Sequence, residues 1–239
     1  MKKLSILNFC LLIVILGYGF FQRDAQSRPE VFEELTAQRL NIVGADGNPY
    51  IVISNPERQA KATQHGEVIQ PDKGPRDLPG LIFFNRVGDE VGGIYYDGTD
   101  EESFAGITFD QQKNDQIMAI MKDEYLDGET WKRWYGMFFR ERKDGIRVET
   151  LFAEFEKRTA GLSQEEKQKE YLAFKRHLDA EVNIYRMFLG REENGDVGLF
   201  LFDGKGRPRI QLFIDGDDNA RILVKDEQGN ARDLVPITP

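Results

Sequence analysis

The stretch Leu199-Phe200-Leu201-Phe202-Asp203-Gly204-Lys205-Gly206-Arg207-Pro208-Arg209-Ile210-Gln211-Leu212-Phe213-Ile214 decides the fold. Two short apolar runs flank an acidic, glycine-rich turn, which is the pattern of strand, turn and strand. The unit is repeated at once: Asp215-Gly216-Asp217-Asp218-Asn219 leads into Arg221-Ile222-Leu223-Val224. Asp226-Glu227-Gln228-Gly229-Asn230 then leads into a last strand predicted over 233–237, and the tripeptide Asn-Ala-Arg recurs at 219–221 and 230–232. One strand plus one turn is too short a repeat for a propeller blade. It predicts an antiparallel meander, either an open sheet or a closed barrel.

The same grammar extends towards the N-terminus. Leu40-Asn41-Ile42-Val43 and Tyr50-Ile51-Val52-Ile53 flank Gly44-Ala45-Asp46-Gly47-Asn48-Pro49, the Asp-Gly chemistry of a hairpin. Gly80-Leu81-Ile82-Phe83-Phe84 and Gly93-Ile94-Tyr95-Tyr96 surround Val87-Gly88-Asp89, and Ala105-Gly106-Ile107-Thr108-Phe109 and Gln116-Ile117-Met118-Ala119-Ile120 surround Lys113-Asn114-Asp115. Residues 55–79 break the pattern with Pro56, Pro71, Pro75 and Pro79, and read as an exposed loop. A second self-similarity relates 136–145 to 186–195, each a strand entering a polar turn. Between them the period changes to that of helices. Val148, Leu151, Phe152 and Phe155 form one apolar stripe, Ser163 and Glu166 make a capping box, and Tyr171, Phe174, Leu178 and Val182 form a second stripe. A two-helix insertion is predicted at about 148–182, packed across one face of the sheet.

Residues 4–21, LSILNFCLLIVILGYGFF, follow Met1-Lys2-Lys3 without a charge. A run of about 18 apolar residues can cross a bilayer as a helix, whereas the apolar part of a cleaved signal is usually about 7–15 residues. The reading is therefore a signal anchor at 1–22, a tether at 23–31 and an exported β-rich domain at 32–239, with Lys2 and Lys3 keeping the N-terminus inside. The expected address is the bacterial inner membrane, single-pass, with the domain in the periplasm or at the outer surface. The alternative is secretion after cleavage near Ala25 and Ser27.

Cys10, the one cysteine, lies in the apolar run, so the exported part has no disulfide framework. The net charge of −9 becomes −12 once Lys2, Lys3 and Arg23 are set aside. A surface of that sign repels polyanions, and nucleic acid is not an expected partner. Expected partners are the membrane, through 4–21, and a protein partner or further copies of the chain.

Little in the sequence carries chemistry. His65 and His177 have no metal-ligand spacing, no phosphate-cradling loop is present, and no cofactor is implied. Asp215, Asp217 and Asp218 could supply oxygen ligands to calcium, or could simply form a solvated hairpin turn. Trp131, Trp134 and Tyr135, bordered by Asp123, Glu124, Asp127 and Glu129, form the one aromatic concentration and the candidate ligand-binding residues. Rings with carboxylates nearby suit saccharides, because sugars stack on aromatic faces and their hydrolysis needs an acid and a base. Packing against the rest of the domain would explain the same rings.

The motifs Phe32-Glu33-Glu34-Leu35-Thr36-Ala37-Gln38-Arg39-Leu40-Asn41-Ile42-Val43, Gly106-Ile107-Thr108-Phe109-Asp110-Gln111 and Arg207-Pro208-Arg209-Ile210 resemble those of a group of bacterial exported, membrane-anchored β-rich proteins. In that group arginine-bearing strands alternate with Asp-x-x-Gly turns. The resemblance implies the architecture of most of residues 32–235 and brings no activity, cofactor or catalytic residue. The expected function is a membrane-anchored extracytoplasmic binding or assembly module without catalytic activity. The alternative is a carbohydrate-active enzyme using carboxylates near Trp131 and Trp134. The last strand carries little charge, so it is expected either to close a barrel, which is preferred, or to recruit a second chain.

Overall fold

Seven hairpin loops among the described residues share one backbone pattern, the first residue's N–H donating to the fifth residue's carbonyl and its own carbonyl accepting from the fourth residue's N–H. In the C-terminal ones, a leading Asp accepts two backbone N–H groups through Oδ1: Asp203 from Lys205 (2.9 Å) and Arg207 (3.1 Å), Asp226 from Gln228 and Asn230 (both 2.9 Å). The fourth loop residue takes positive φ, as at Gly206 (71°) and Gly229 (87°), which glycine adopts without a Cβ penalty. The acidic residues are thus the frame of each turn.

The structure, a computed structural model, describes residues 31–64, 66–68, 76–146 and 148–235. The chain divides into two units, Met1–Ala37 and Gln38–Pro239, and every element named below belongs to the second. These are β1 (Arg39–Val43), β2 (Pro49–Ser54), β3 (Thr63–Gln64), β4 (Glu67–Val68), β5 (Gly80–Phe84), β6 (Glu90–Gly98), β7 (Glu102–Asp110), β8 (Gln116–Asp127) and β9 (Thr130–Arg142). Helices α1 (Val148–Thr159) and α2 (Gln164–His177) and a π-helical turn (Leu178–Val182) follow. The meander resumes as β10 (Asn183–Arg191), β11 (Val197–Phe202), β12 (Pro208–Ile214), β13 (Ala220–Lys225) and β14 (Ala231–Asp233).

Twelve of these strands form one antiparallel sheet in the order β1-β2-β5-β6-β7-β8-β9-β10-β11-β12-β13-β14, and β3 pairs with β4 alone. The mainly β class, the meander and the helical insertion at its predicted position are present. Barrel closure is corrected: β1 and β14 are the two ends of an open sheet. Among the described residues the last strand is Ala231–Asp233, beginning two residues before the predicted one; Asp233 turns its carboxylate onto the N–H of Val235 (3.1 Å), and 236 and 237 lie outside the described residues. Residues 4–21 lie outside the described residues; among those described, no helix is long and apolar enough to cross a membrane.

Cross-strand register assigns every side chain to one of two faces, since directly paired residues point the same way. One row reads Val52, Ile82, Gly93, Thr108, Ala119, Phe138, Phe188, Phe200 from β2 to β11. Its side chains are buried, and this is the inner face. The neighbouring inner row places Gly136 opposite Gly190, over which the Phe188 ring lies; a Cβ on Gly190 would fall 2.2 Å from the Tyr135 carbonyl oxygen. Bare backbone there makes room for rings. Phe138, Phe188 and Phe200 pack with Trp134, Tyr185, Phe202 and Phe213, and the Arg140 guanidinium lies 4.1 Å from the Phe138 ring centre and 4.5 Å from that of Tyr185.

Residues 55–79 were expected to be exposed, and part of them is not. Ala60 packs with Val52, Ile82 and Phe84, and Gln59 is buried with its Nε2 donating to the carbonyls of Leu78 (3.1 Å) and Gly80 (3.3 Å). Gln59 and Ala60 thus cover the inner face at β2 and β5. In the insertion, the Ser163–Glu166 capping box forms as predicted. The helices pair through their own aromatics: Phe155 stacks on Phe174 at 4.7 Å, and Phe152 meets Phe174 edge-on at 5.1 Å. The π-helical turn connects this hairpin to β10.

Candidate functional site

Trp131, Trp134 and Tyr135 are on β9, where residues an odd number apart face opposite ways. Trp131 and Tyr135 are on the outer face, exposed, and Trp134 is on the inner face, partly buried. The structure does not bring the two tryptophans onto one surface. Trp134 stacks on Phe188, with ring centres 5.4 Å apart and planes 10° apart, and is paired across the ladder with Asp123. It borders a cavity of about 350 Å³ with Tyr185, Phe188, Phe202, Asp179 and Glu192. Burial, and after it the charge of Asp196, raises the Glu192 pKa above the ordinary carboxylate value. Glu124, by contrast, is on the outer face and held by Lys122 (2.8 Å) and Arg133 (3.1 Å), whose hydrogen bonds lower its pKa.

Sequence reasoning missed a second inner-face cavity of about 340 Å³, lined by Gln59, Arg76, Glu90, Tyr95, Asp115 and Gln116 among others. Strand register and the covering segment assemble it from distant residues. Arg76 binds Glu90 through both terminal nitrogens. Arg142, its side chain almost fully buried, holds Asp115 at 2.9 Å and donates from Nε to the Gln116 carbonyl at 2.9 Å. Asp110 stands beside this group with its buried Oδ1 unpartnered. Burial first, then the charges of Glu90 and Asp115, push its pKa up to about 7, against the opposing pull of Arg76 and Arg142.

The third feature is the outer face itself. One residue along from the buried row, the register reads Leu40, Ile53, Leu81, Ile94, Ile107, Ile120, Met137, Leu189, Leu199, Leu212, Ile222. Ile120 is 49% exposed, Leu189 49% and Leu212 50%. A shallow depression of about 430 Å³ on this face is lined by Ile94, Tyr96, Ile107, Ile120, Lys122 and Tyr135. An exposed row of aliphatic side chains is unusual, because monomers seldom leave contiguous apolar patches beyond a few hundred Å².

The acidic turns bind their own backbone. Asp215 Oδ1 accepts from the N–H groups of Asp217 (3.1 Å) and Asn219 (2.9 Å), and Oδ2 is 3.8 Å from Arg221. Among the described residues no group of three His, Cys, Asp or Glu side chains is placed to hold a metal ion. His177 is exposed at the end of α2, and His65 lies outside the described residues. Comparison with protein-family models, with curated proteins and with solved structures finds no match.

Proposed function

We propose that the chain is a membrane-anchored, extracytoplasmic binding and assembly module without catalytic activity, anchored through residues 4–21 and docking through the outer face of its sheet. The observation that carries this reading is the uncovered aliphatic row. Strands that are apolar on both sides are normally buried on both sides. Here the inner face is covered by its own rings and by Gln59 and Ala60, while Ile120, Leu189 and Leu212 face solvent. A face of that composition lowers its free energy by association, at about 25 cal/mol for each Å² of apolar surface removed from water.

Replacing Leu212 by Glu tests the docking face. A half-exposed docking residue is not part of the fold's core, so denaturant unfolding should shift by no more than about 1 kcal/mol. Sedimentation of membrane extracts should nevertheless find the parent chain in larger assemblies and the variant outside them. A loss of several kcal/mol with assembly unchanged would assign the outer face to folding instead. Protease added to intact spheroplasts checks the address, with digestion expected from outside.

One observation favours the second reading, a carbohydrate-active protein: Trp134 shares its cavity with Asp179 and Glu192, so a ring and two carboxylates converge there without Trp131. Titration with oligosaccharides should then quench tryptophan emission in the parent and in a Trp131→Phe variant. Loss of the signal on replacing Trp131 alone would overturn that site.

A further inference from the structure

We infer that the occupant of the outer face is a second copy of this chain, packed sheet against sheet about a two-fold axis; the inference rests on the docking reading above and names its partner. Area is the first argument. Two apolar rows, those of Ile120 and Met118, cross eleven strands, β1, β2 and β5 to β13, and a third, from Tyr96 on β6 to Ala220 on β13, is apolar but for Lys122 and Arg191. At about 4.8 Å between strands and about 3.4 Å per residue, a belt three side chains deep covers about 48 by 14 Å, or roughly 650 Å². Two such footprints total about 1,300 Å², within the range of about 1,200–2,000 Å² buried by stable specific interfaces.

Composition is the second argument. On β11, β12 and β13 the outward residues are aliphatic throughout: Val197, Leu199 and Leu201, then Ile210, Leu212 and Ile214, then Ala220, Ile222 and Val224. Two such blocks interdigitate as the inner faces of a sandwich do, with sheets about 10 Å apart. An isologous contact presents the same patch on both sides, so the patch must be compatible with itself.

Charge is the third. Several ionic groups bordering the belt are already paired within the chain: Lys122 and Arg133 with Glu124, and Arg186 with Glu141 at 2.8 Å, while Arg191 donates to the carbonyls of Arg133 and Glu192. Neither end presents a block of one sign that a second copy would repel or that a strongly charged partner would need. A bilayer suits the face less well. A belt about 14 Å deep falls short of the apolar band of about 25 Å on membrane-spanning barrels. The chain's net charge of −9 also disfavours anionic headgroups.

The test uses the full chain in its own membranes, with Cys10→Ser removing the native thiol. Single cysteines are placed on the face (Ile120→Cys, Leu189→Cys, Leu212→Cys) and in an exposed turn (Asp217→Cys). A bismaleimide with a spacer of about 10 Å matches the distance between packed sheets. The expected result is a band of twice the chain mass from at least one face position, at least tenfold stronger than from the turn. Three positions keep the test decisive if one variant fails to accumulate. If the face cysteines react with a polymer-linked maleimide as fast as Asp217→Cys and form no double-mass band, the face is bare, and both this inference and the docking reading fail. If they are protected from the maleimide but give no double-mass band, lipid, another protein or the chain's own apolar run covers the face. The second copy is then overturned while the docking reading stands.

Discussion

The two faces of this sheet share the same strands and the same ladder, yet they are built to different rules. Inward, Phe138, Phe188 and Phe200 sit with relative exposures of 1%, 4% and 1%, their rings accommodated over Gly136 and Gly190 and covered by neighbouring aromatics. Outward, one residue along, Ile120, Leu189 and Leu212 are half exposed, and the described chain lays no second layer on them. Alternating glycines and rings give a surface that the chain's own aromatics fill, whereas repeated Ile and Leu give a uniform aliphatic surface. The lesson is that equal hydrophobicity on the two sides of a strand does not imply equal roles. One side is buried within the fold, and the other is the side proposed above to meet a partner.

The largest expected effect breaks or confirms that division directly. Phe138→Ala empties the centre of the inner cluster and should cost about 3–5 kcal/mol in denaturant unfolding, the range for deleting a buried ring. Ile120→Ala, on the adjacent strand but pointing outward, should cost about 1 kcal/mol or less when measured below the concentration of self-association. Equal losses would show that the outer face is as much a core as the inner one.

The sequence disclosed the meander, the position of the insertion and the capping box at Ser163 and Glu166, because each depends on neighbours within a few residues. The faces were harder to read. In runs such as Leu81-Ile82-Phe83-Phe84 and Leu199-Phe200-Leu201-Phe202 both parities are apolar, so the period-two signal that marks inside from outside is absent. The separation of Trp131 and Trp134 did contain the relevant signal: three residues along a strand means opposite sides, and grouping them by proximity overlooked it. Barrel closure was beyond local pattern, since it depends on the strand ends that face each other only after twelve strands have been laid down. The cavity of Arg76, Glu90 and Asp115, with Arg142 and Asp110 beside it, has no motif at all. It exists because register and the covering segment bring five scattered charges together.

That cavity sharpens the comparison, because the inner face holds a charged group as well as rings. The Asp110 carboxylate is pushed to about 7 from an ordinary 3.8, chiefly by burial and then by Glu90 and Asp115, with Arg76 and Arg142 opposing. In the unfolded chain it would ionise near its ordinary value. Between about pH 4 and pH 7 the folded protein therefore holds a proton that the unfolded chain has lost, and stability attributable to Asp110 falls as pH rises through that window. Below it both states are protonated, and above it both are ionised, so the penalty is constant there. The span from 3.8 to about 7 corresponds to at most about 4 kcal/mol, and an Asn that matches the shape but brings an amide with no assured partner should recover about 2 kcal/mol of it. Asp110→Asn should accordingly cost about 2 kcal/mol at pH 4, where the replaced carboxyl is neutral, and raise stability at pH 8 by about 2 kcal/mol, as read from denaturant midpoints at fixed ionic strength. A gain that is the same at both pH values would mean that ionisation of Asp110 is not its source. A loss at pH 8 would mean that the carboxylate is stabilised by its arginines more than it is penalised by burial, and the inner face would then be ionic by design at β6 to β9.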